Sequence, residues 1–302
     1  MYQASHRPIY QCGREITSIE ISEIIETIGQ FRKLCRTELA ETICEHLNWR
    51  TASGGNKVDA SLKLLRKLEK KGYIRLPKKR PCLKRKRKSI SMTSKTGSGP
   101  EISGKVNDYS GVGVEIADSA DSRVLWNEYV SRYHYLGYNK PFGYHLRYFI
   151  KGGLSVWGCA LFSGAAKSIR IRDRWIGWEE RRRLKNLAWV INNSRFLIFP
   201  WVRVKNLASH VLSGIGRHIC GDWEERWGYR PVLMETFVDP RRYKGTCYRA
   251  ANWKHLGETT GMGLVRKGEA YETNPKMIFV RPLSRNFREL LCSDGLHGRV
   301  LT

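Results

Sequence analysis

The sequence has no long run of hydrophobic residues. A membrane-spanning helix needs about 20 consecutive and mostly apolar residues, and no stretch of this chain approaches that length. The N-terminal residues also lack the short apolar core of a secretory signal. We therefore expect a cytoplasmic protein with no membrane partner.

The sequence also lacks paired cysteines. None of its 8 cysteines forms a CxxC pair, and the nearest two, Cys35 and Cys44, lie in a region of helical pattern. Scattered thiols of this kind favour reduced, mostly buried cysteines over a disulfide framework. They give no support to a structural zinc site, so we assign no metal ligands.

Acidic residues are scarce. Asp and Glu number 28 against 54 Lys and Arg, which gives a formal net charge of +26. Solubility of a small domain requires a net charge of only about 2–8 in magnitude. An excess this large attracts polyanions and speeds their association. We expect DNA, duplex or single-stranded, as the partner, ahead of an acidic membrane surface.

Composition divides the chain into four parts. Residues 1–77 are predicted to form an N-terminal domain, residues 78–118 a basic flexible linker, residues 119–284 a core domain and residues 285–302 a tail. The linker begins with KKRPCLKRKRK and continues with a segment rich in Ser, Gly and Thr, which is typical of flexible connections.

The N-terminal domain is predicted to contain three helices and a short strand. Apolar residues recur at helical spacing in TSIEISEIIETIGQ, CRTELAETICEHL and VDASLKLLRKLEK. Gly72 is placed to end the third helix, and Tyr73–Leu76 reads as a strand. This order resembles a winged helix-turn-helix, in which one helix enters the DNA major groove. A helical bundle for protein contacts is the alternative.

Cations of this region are the first candidates for contact with DNA. On the third helix and in the linker they are Lys63, Arg66, Lys67, Lys70, Lys84, Arg85, Lys86 and Arg87. Such side chains neutralise phosphates without reading the base sequence.

The core domain is predicted to be a mixed α+β or α/β domain. A strand hairpin over 144–162 precedes a basic helix at 179–187, a strand at 195–202, a long helix at 206–227 and a strand at 232–238. An antiparallel start followed by a strand–helix–strand crossover is typical of mixed sheets.

Polar side chains crowd the strand ends of this domain. His134 lies in an aromatic loop, and Asp173 stands between two arginines. Glu235 and Asp239 are four residues apart, so strand alternation places them on one face. Paired carboxylates could bind a divalent metal or share acid–base work. Burial beside an arginine such as Arg241 is the alternative.

The core also carries candidate contacts for nucleic acid. Trp175 could stack on a base, and the arginines could bind phosphates. The set is Arg172, Arg174, Trp175, Arg181, Arg182, Arg183 and Arg195.

Three segments carry a resemblance to a known family. RDRWIGW, NNSRFLIFPWVRVKNLAS and ETFVDPRRYKGTCYRAANWKHLGETTGMG closely resemble the DruA family of the Druantia anti-phage defence system, over roughly Leu125 to Leu283. The resemblance implies a bacterial, cytoplasmic defence protein whose partners include other subunits of the system. Because related domains occur near transposase-like proteins, a mobile-element role stays open, as does the oligomeric state.

The order of elements is more distantly similar to the GNAT N-acyltransferase fold. That similarity implies that Tyr248 protonates a leaving thiolate and that acyl-coenzyme A binds one strand and the helix after it. The matching cofactor positions are Phe196, Ile198, Asn206, Ala208 and Ser209. The sequence departs from the fold's glycine-containing pyrophosphate loop, which is VKNLAS here.

The leading expectation is a DNA-binding anti-phage defence protein that recognises or modifies nucleic acid. The alternatives are a GNAT-like acyltransferase or DNA-base modifier, a metal-dependent nuclease or transposase-associated protein, and a non-catalytic adaptor.

Overall fold

A computed structural model of the chain describes residues 8–31, 34–78, 90–141, 143–261, 274–296 and 298. Two hydrophobic cores organise them. One lies among the N-terminal helices, and the larger one surrounds a seven-stranded sheet.

The N-terminal unit is a short hairpin followed by three helices. They are β1 (Ile9–Gln11), β2 (Arg14–Ile16), α1 (Ser18–Gln30), α2 (Arg36–His46) and α3 (Val58–Lys70). A capping box begins α1, since Thr17 and Glu20 each accept the other's backbone N–H. The buried side chains of Leu39, Ile43 and Leu64 join α2 to α3. The three predicted helices are confirmed.

The predicted strand at Tyr73–Leu76 is wrong. These residues form a bend followed by irregular chain, and they belong to no strand that the structure describes. Leu76 is buried in the N-terminal core, so packing rather than sheet pairing fixes the segment. The basic run Lys84–Arg87 lies outside the described residues, and a wing is not shown.

Residues 90–118 are folded, in contrast to the predicted flexible linker. They contain β3 (Ile102–Lys105), which pairs in parallel with β8 (Val202–Lys205), and β4 (Val112–Ile116), which pairs with β5 (His145–Gly152) at one edge of the main sheet. The polar composition was misleading because edge strands bury only part of their side chains.

A buried carboxylate anchors the start of this segment. Glu128 lies on α4 (Ala120–Tyr133) and is 2% exposed. It accepts hydrogen bonds from the Thr93 backbone and hydroxyl and from the Thr96 hydroxyl at 2.6 Å. These bonds, with Thr96 contributing most, hold the pKa of Glu128 below its usual range. Hydrogen bonds thus tie residues 93–96 to the core.

The main sheet has the order β10-β11-β9-β7-β6-β5-β4. Its remaining strands are β6 (Ser155–Gly164), β7 (Val190–Ile198), β9 (Leu233–Val238), β10 (Lys254–Glu258) and β11 (Met277–Pro282). Neighbouring strands are antiparallel except β7 and β9, which pair in parallel. The expected mixed α/β class is confirmed.

Five further helices surround this sheet. They are α5 (Arg170–Ile176), α6 (Glu180–Asn186), α7 (Leu207–Trp227), α8 (Thr246–Ala250) and α9 (Phe287–Cys292). A parallel strand pair needs a long crossover, and α7 supplies it between β7 and β9. Along the chain the order is β7, β8, α7, β9, α8 and β10.

The strand predicted at 195–202 is displaced. β7 begins at Val190 and ends at Ile198, and the Val202 N–H bonds to Phe199 O to form a turn before β8. Two asparagines near the start of β7 concealed its true beginning, because Asn is depleted in strands. No helix in the described part of the chain is long and apolar enough to cross a membrane.

Replacing Glu128 with alanine should destabilise the fold. The substitution leaves the buried Thr96 hydroxyl without its acceptor, which costs about 1–3 kcal/mol, and it also removes the acceptor of the exposed Thr93. Urea unfolding measures the loss. Glu115→Ala is the matched control, because Glu115 pairs with Lys151 from a side chain that is 62% exposed and should change stability by less than about 1 kcal/mol. Equal stability of the two variants would contradict the anchoring role.

Candidate ligand cavity at the centre of the sheet

Strands β7 and β9 pair for only part of their length. The parallel register joins Val190–Asn193 to Leu233–Thr236. Beyond it, β7 continues beside β6 to Ile198, while β9 continues beside β11 to Val238. The strands therefore separate after Asn193 and Thr236. On the side facing β9, backbone groups of residues 194–198 lose their strand partner.

A cavity of about 470 Å³ opens where the strands separate. Its walls are formed by β7, the end of β9, the chain after α4, the first turn of α7 and the start of α8. A cavity of this size lies within the range of small-molecule sites, about 300–1,000 Å³.

The side chain of Asn193 holds the point of separation. The register between β6 and β7 shifts by one residue here, which is a β-bulge. Asn193 Nδ2 donates to the carbonyl oxygens of Leu161 at 3.1 Å and Arg195 at 3.0 Å. Its Oδ1 accepts from the Tyr248 hydroxyl at 2.8 Å, and the Thr236 hydroxyl donates to its backbone oxygen at 2.9 Å. Asn193 thus joins the bulge, β9 and α8 through its side-chain amide and its backbone carbonyl.

Tyr248 lines the cavity, but its proton is already engaged. Its hydroxyl donates to Asn193, and burial raises its pKa well above the ordinary value for tyrosine. The proton-donor role implied by the GNAT resemblance gains no support from this geometry. Tyr248 instead positions α8 against the bulge.

His134 lines the cavity as a neutral ring. Burial, together with the nearby Arg195 cation, lowers its pKa to about 4, so the ring is neutral at pH 7. The Leu136 backbone N–H donates to His134 Nδ1 at 3.2 Å. This bond assigns the ring proton to Nε2.

Positive charge exceeds negative charge around the cavity. Arg195, Lys244 and Lys276 line it, as does the carboxylate of Asp239. Asp239 Oδ2 is paired with Arg241 at 3.1 Å, and this partner lowers the pKa of Asp239. Since Arg195 bonds only backbone oxygens in the described chain, the cavity favours an anionic ligand.

Asp173 and Glu235 lie outside the cavity, in a buried ion network. The Arg172 guanidinium bonds Glu235 at 2.7 Å and Asp173 at 2.7 Å, and both Arg172 and Glu235 are fully buried. The Ala166 N–H also donates to Glu235 at 2.8 Å. The predicted catalytic role of Asp173 and Glu235 is therefore replaced by a structural one. Their links join α5 to the sheet.

The nuclease hypothesis depends on Glu235 and Asp239 as a carboxylate pair, but each of them is bound by an arginine instead. Glu235 is bound by Arg172, whereas Asp239 is bound by Arg241 at the end of β9. Among the residues that the structure describes, no group of three or more His, Cys, Asp or Glu side chains is placed to hold a metal ion.

Several predicted nucleic-acid contacts are buried or occupied. Arg172 is inaccessible, and Arg183 is 8% exposed and bonded to Lys167 O. Trp175 stacks on Phe287, with Arg288 at 4.7 Å from its ring. These three residues are packing contacts, which corrects their assignment. Among the other predicted residues of the core, Arg174 and Arg181 are exposed, and Arg182 and Arg195 are half-buried.

Three of the five predicted cofactor positions line the cavity. Phe196, Ile198 and Ala208 line the cavity. Asn206 and Ser209 do not line it: Asn206 takes a left-handed conformation (φ 65°) without a side-chain cap, and the Ser209 hydroxyl donates back to Asn206 O.

Sequence reasoning missed the asparagines that shape the site. Asn193 holds the bulge, and Asn192 lines the cavity with a buried Oδ1 that accepts no hydrogen bond from the described residues. The signal was present in VINNSRFLIF, because two adjacent asparagines are unusual in an apolar strand.

The fold and cavity define a mixed α/β protein with a ligand-sized opening at the centre of its sheet. A family model described as "Druantia protein DruA" matches residues 67–272. The chain therefore belongs to the DruA family of the Druantia system, which associates it with anti-phage defence. No curated protein matches the chain significantly.

Solved structures with partial likeness include three acyl-transferring proteins. The ribosomal L7/L12 alpha-N-protein acetyltransferase RimL is 9% identical over 46% of this chain and 70% of its own, with a TM-score of 0.29. A putative acetyltransferase from Salmonella typhimurium is 15% identical over 56% and 76%, with a TM-score of 0.31. The N-acyl amino acid synthase FeeM, from uncultured soil microbes, is 12% identical over 58% and 92%, with a TM-score of 0.32. Values this low carry no conclusion about activity.

Breaking the buried ion network should unfold the core more readily. Arg172→Met leaves the Glu235 carboxylate buried without its cation, a change that costs about 3–5 kcal/mol in comparable pairs. The double variant Arg172→Met with Glu235→Leu should recover part of that loss. Denaturant unfolding measures both. Arg174→Met, at an exposed position of α5, is the control. A single variant as stable as this control would overturn the structural assignment.

Proposed function

We propose that this DruA family protein binds duplex DNA through the exposed face of α3. The observation that carries the proposal is the spacing of four cations on that helix. Lys63, Arg66, Lys67 and Lys70 lie at i, i+3, i+4 and i+7, and all four are exposed. This spacing places them along one face of the helix.

The opposite face of α3 is committed to the core. Leu64, Leu65 and Leu68 have 0% exposure. The helix is therefore fixed by apolar packing, and its cationic face points to solvent on a rigid support. Rigid presentation reduces the entropy lost when a partner is bound.

Most cations on this face of α3 have no acidic partner in the described part of the chain. Lys63, Arg66 and Lys70 form no ion pair in the described part of the chain, and Lys67 donates only to the Tyr10 backbone oxygen. Glu69, their acidic neighbour on α3, is directed to Arg36 instead. A row of unpaired cations can replace the counterions condensed on DNA.

The helical arrangement supports a duplex as the target. An α-helix fits the DNA major groove, and α3 follows α2 after a connection of 11 residues, which is longer than the turn of three or four residues in a helix-turn-helix. A winged form of this unit remains part of the proposal.

A salt series tests the α3 proposal. The triple variant with Lys63, Arg66 and Lys70 changed to Gln should bind a duplex more weakly. Its plot of log affinity against log salt should flatten by about 0.9 per lost phosphate contact. Fluorescence anisotropy measures both quantities. The control triple variant changes Arg203, Lys205 and Arg217, which are exposed on β8 and α7. Identical slopes for wild type and the α3 variant would refute the proposal.

A second function, acyl-coenzyme A binding, is favoured by the cavity between β7 and β9. The unpaired edge of β7 offers backbone groups to an extended ligand that carries amides, in the manner of an added strand. The first turn of α7 lies beside it, and helix starts present free N–H groups to phosphates. Coenzyme A combines both features.

Side chains of the cavity suit such a ligand. Asn192 Oδ1 is an unsatisfied acceptor for a ligand N–H, and His134 Nε2–H can donate to a thioester carbonyl. Lys244 and Lys276 supply cations at the wall.

Filling the cavity tests this second function. Ala208→Trp places an indole where the first turn of α7 meets the cavity, and it should weaken acetyl-coenzyme A binding at least about tenfold through steric exclusion. Calorimetry gives the affinity. Leu154→Trp serves as the control, since Leu154 is 99% exposed in a turn. Undetectable binding by the wild type, or equal binding by Ala208→Trp, would rule the function out.

A further inference from the structure

A second and larger cavity lies between the N-terminal unit and the core. Its volume is about 960 Å³. The two units meet at one side of it, where Arg181 Nε donates to Gly13 O at 3.4 Å and the Arg181 guanidinium lies 5.6 Å from the Tyr10 ring. Gly13 has a φ of 80°, and an added Cβ would lie 2.8 Å from Arg181 O. Contact here is therefore close and specific to glycine.

Cations dominate the walls of this interdomain cleft. They are Arg14, Arg50, Lys57, Arg181, Arg182 and Lys185. The acidic residues of the walls are Glu15 and Asp294. Clefts lined by charge of one sign concentrate ligands of the opposite sign.

Three of these cations lack an acidic partner in the described chain. Arg50 bonds the neutral amide of Asn56, and Arg181 bonds Gly13 O. Lys57 stands directly before α3 and forms no ion pair there. Burial lowers the pKa of Lys57, and the cations of Arg14 and Lys185 lower it further. An anion entering the cleft would relieve this repulsion.

An anion already occupies one end of the cleft. The carboxylate of Asp294 is paired with both Arg182 and Lys185, and these bonds lower its pKa far below the usual range. The side chain of Asp294 is 60% exposed, so it can be displaced. Its carboxylate marks a position where two cations converge on one group of oxygen atoms.

Aromatic side chains form part of the remaining wall, beside aliphatic residues such as Leu184 and Leu187. Trp49, Tyr144 and Trp189 all line the cleft. A ligand with phosphates and a flat, apolar ring would match both types of wall, because every nucleobase presents a face that can stack on aromatic groups.

We propose that the interdomain cleft binds a nucleoside phosphate. Its phosphate lies among Lys57, Arg181, Arg182 and Lys185, where it competes with Asp294, and its base lies toward the aromatic side chains. The ligand is either a free nucleotide or the 5′-phosphorylated end of a single strand. This site is separate from the exposed cations of α3 and does not depend on duplex binding.

The test uses the full chain and two pairs of probes. Calorimetry compares ATP with adenosine, and anisotropy compares a hexathymidylate with and without a 5′-phosphate. We expect that, in at least one of the two pairs, only the probe that carries phosphate binds. Binding of ATP alone identifies a free nucleotide, and binding of the phosphorylated strand alone identifies a strand end.

Three substitutions test which residues of the cleft contact the ligand. Arg181→Gln and Lys57→Met should each weaken it by about tenfold, as expected for a lost charge-assisted contact. Asp294→Asn removes the competing carboxylate and should strengthen it several-fold, which a merely structural contact would not do. Arg203→Gln and the α3 triple variant should leave it unchanged. Thermal melting confirms that each variant is folded.

Two outcomes would overturn the proposal. One is the absence of phosphate-dependent binding of both ATP and the strand. The other is binding that ignores Arg181→Gln and Lys57→Met, or that weakens in Asp294→Asn.

Discussion

The amide of Asn193 is the constraint on which the central cavity depends. Two neighbouring strands of a sheet normally stay paired, because each loses hydrogen bonds when they part. Here the Asn193 side chain bonds the backbone on both sides of the bulge and receives the Tyr248 hydroxyl. It therefore compensates for the lost pairing at the point where β7 leaves β9. The cavity follows from this separation, and the Tyr248 bond to Asn193 fixes α8 beside it.

Burial separates structural charge from functional charge in this protein. Arg172 and Arg183 are buried and hold α5 and α6 in place. The cations of α3 and of the interdomain cleft are instead wholly or partly open to solvent and carry little compensating negative charge. The cations that make up the net charge of +26 therefore differ in role according to their burial. We propose that the anionic partner binds the N-terminal unit and the cleft, and that a smaller ligand binds at the sheet.

The sequence predicted what depends on local patterns. Apolar periodicity located α1, α2, α3 and α7, and long Trp-rich segments identified the family. The sequence did not reveal features that depend on contacts between residues far apart in the chain. Arg172 and Glu235 are 63 residues apart, so nothing local showed that they neutralise each other. Glu128 accepts from a segment 35 residues earlier, which made residues 90–118 look like a linker. The strand predicted at Tyr73–Leu76 failed because its apolar residues pack without pairing.

We propose that nucleic acid contacts the N-terminal unit rather than the cavity in the sheet. Lysine acetylation footprinting of the full chain, with and without a DNA duplex, tests it most directly. We expect the duplex to slow modification of Lys63, Lys67 and Lys70, whereas Lys244 and Lys276 at the cavity react as before. Protection of Lys244 and Lys276 with no change on α3 would contradict it.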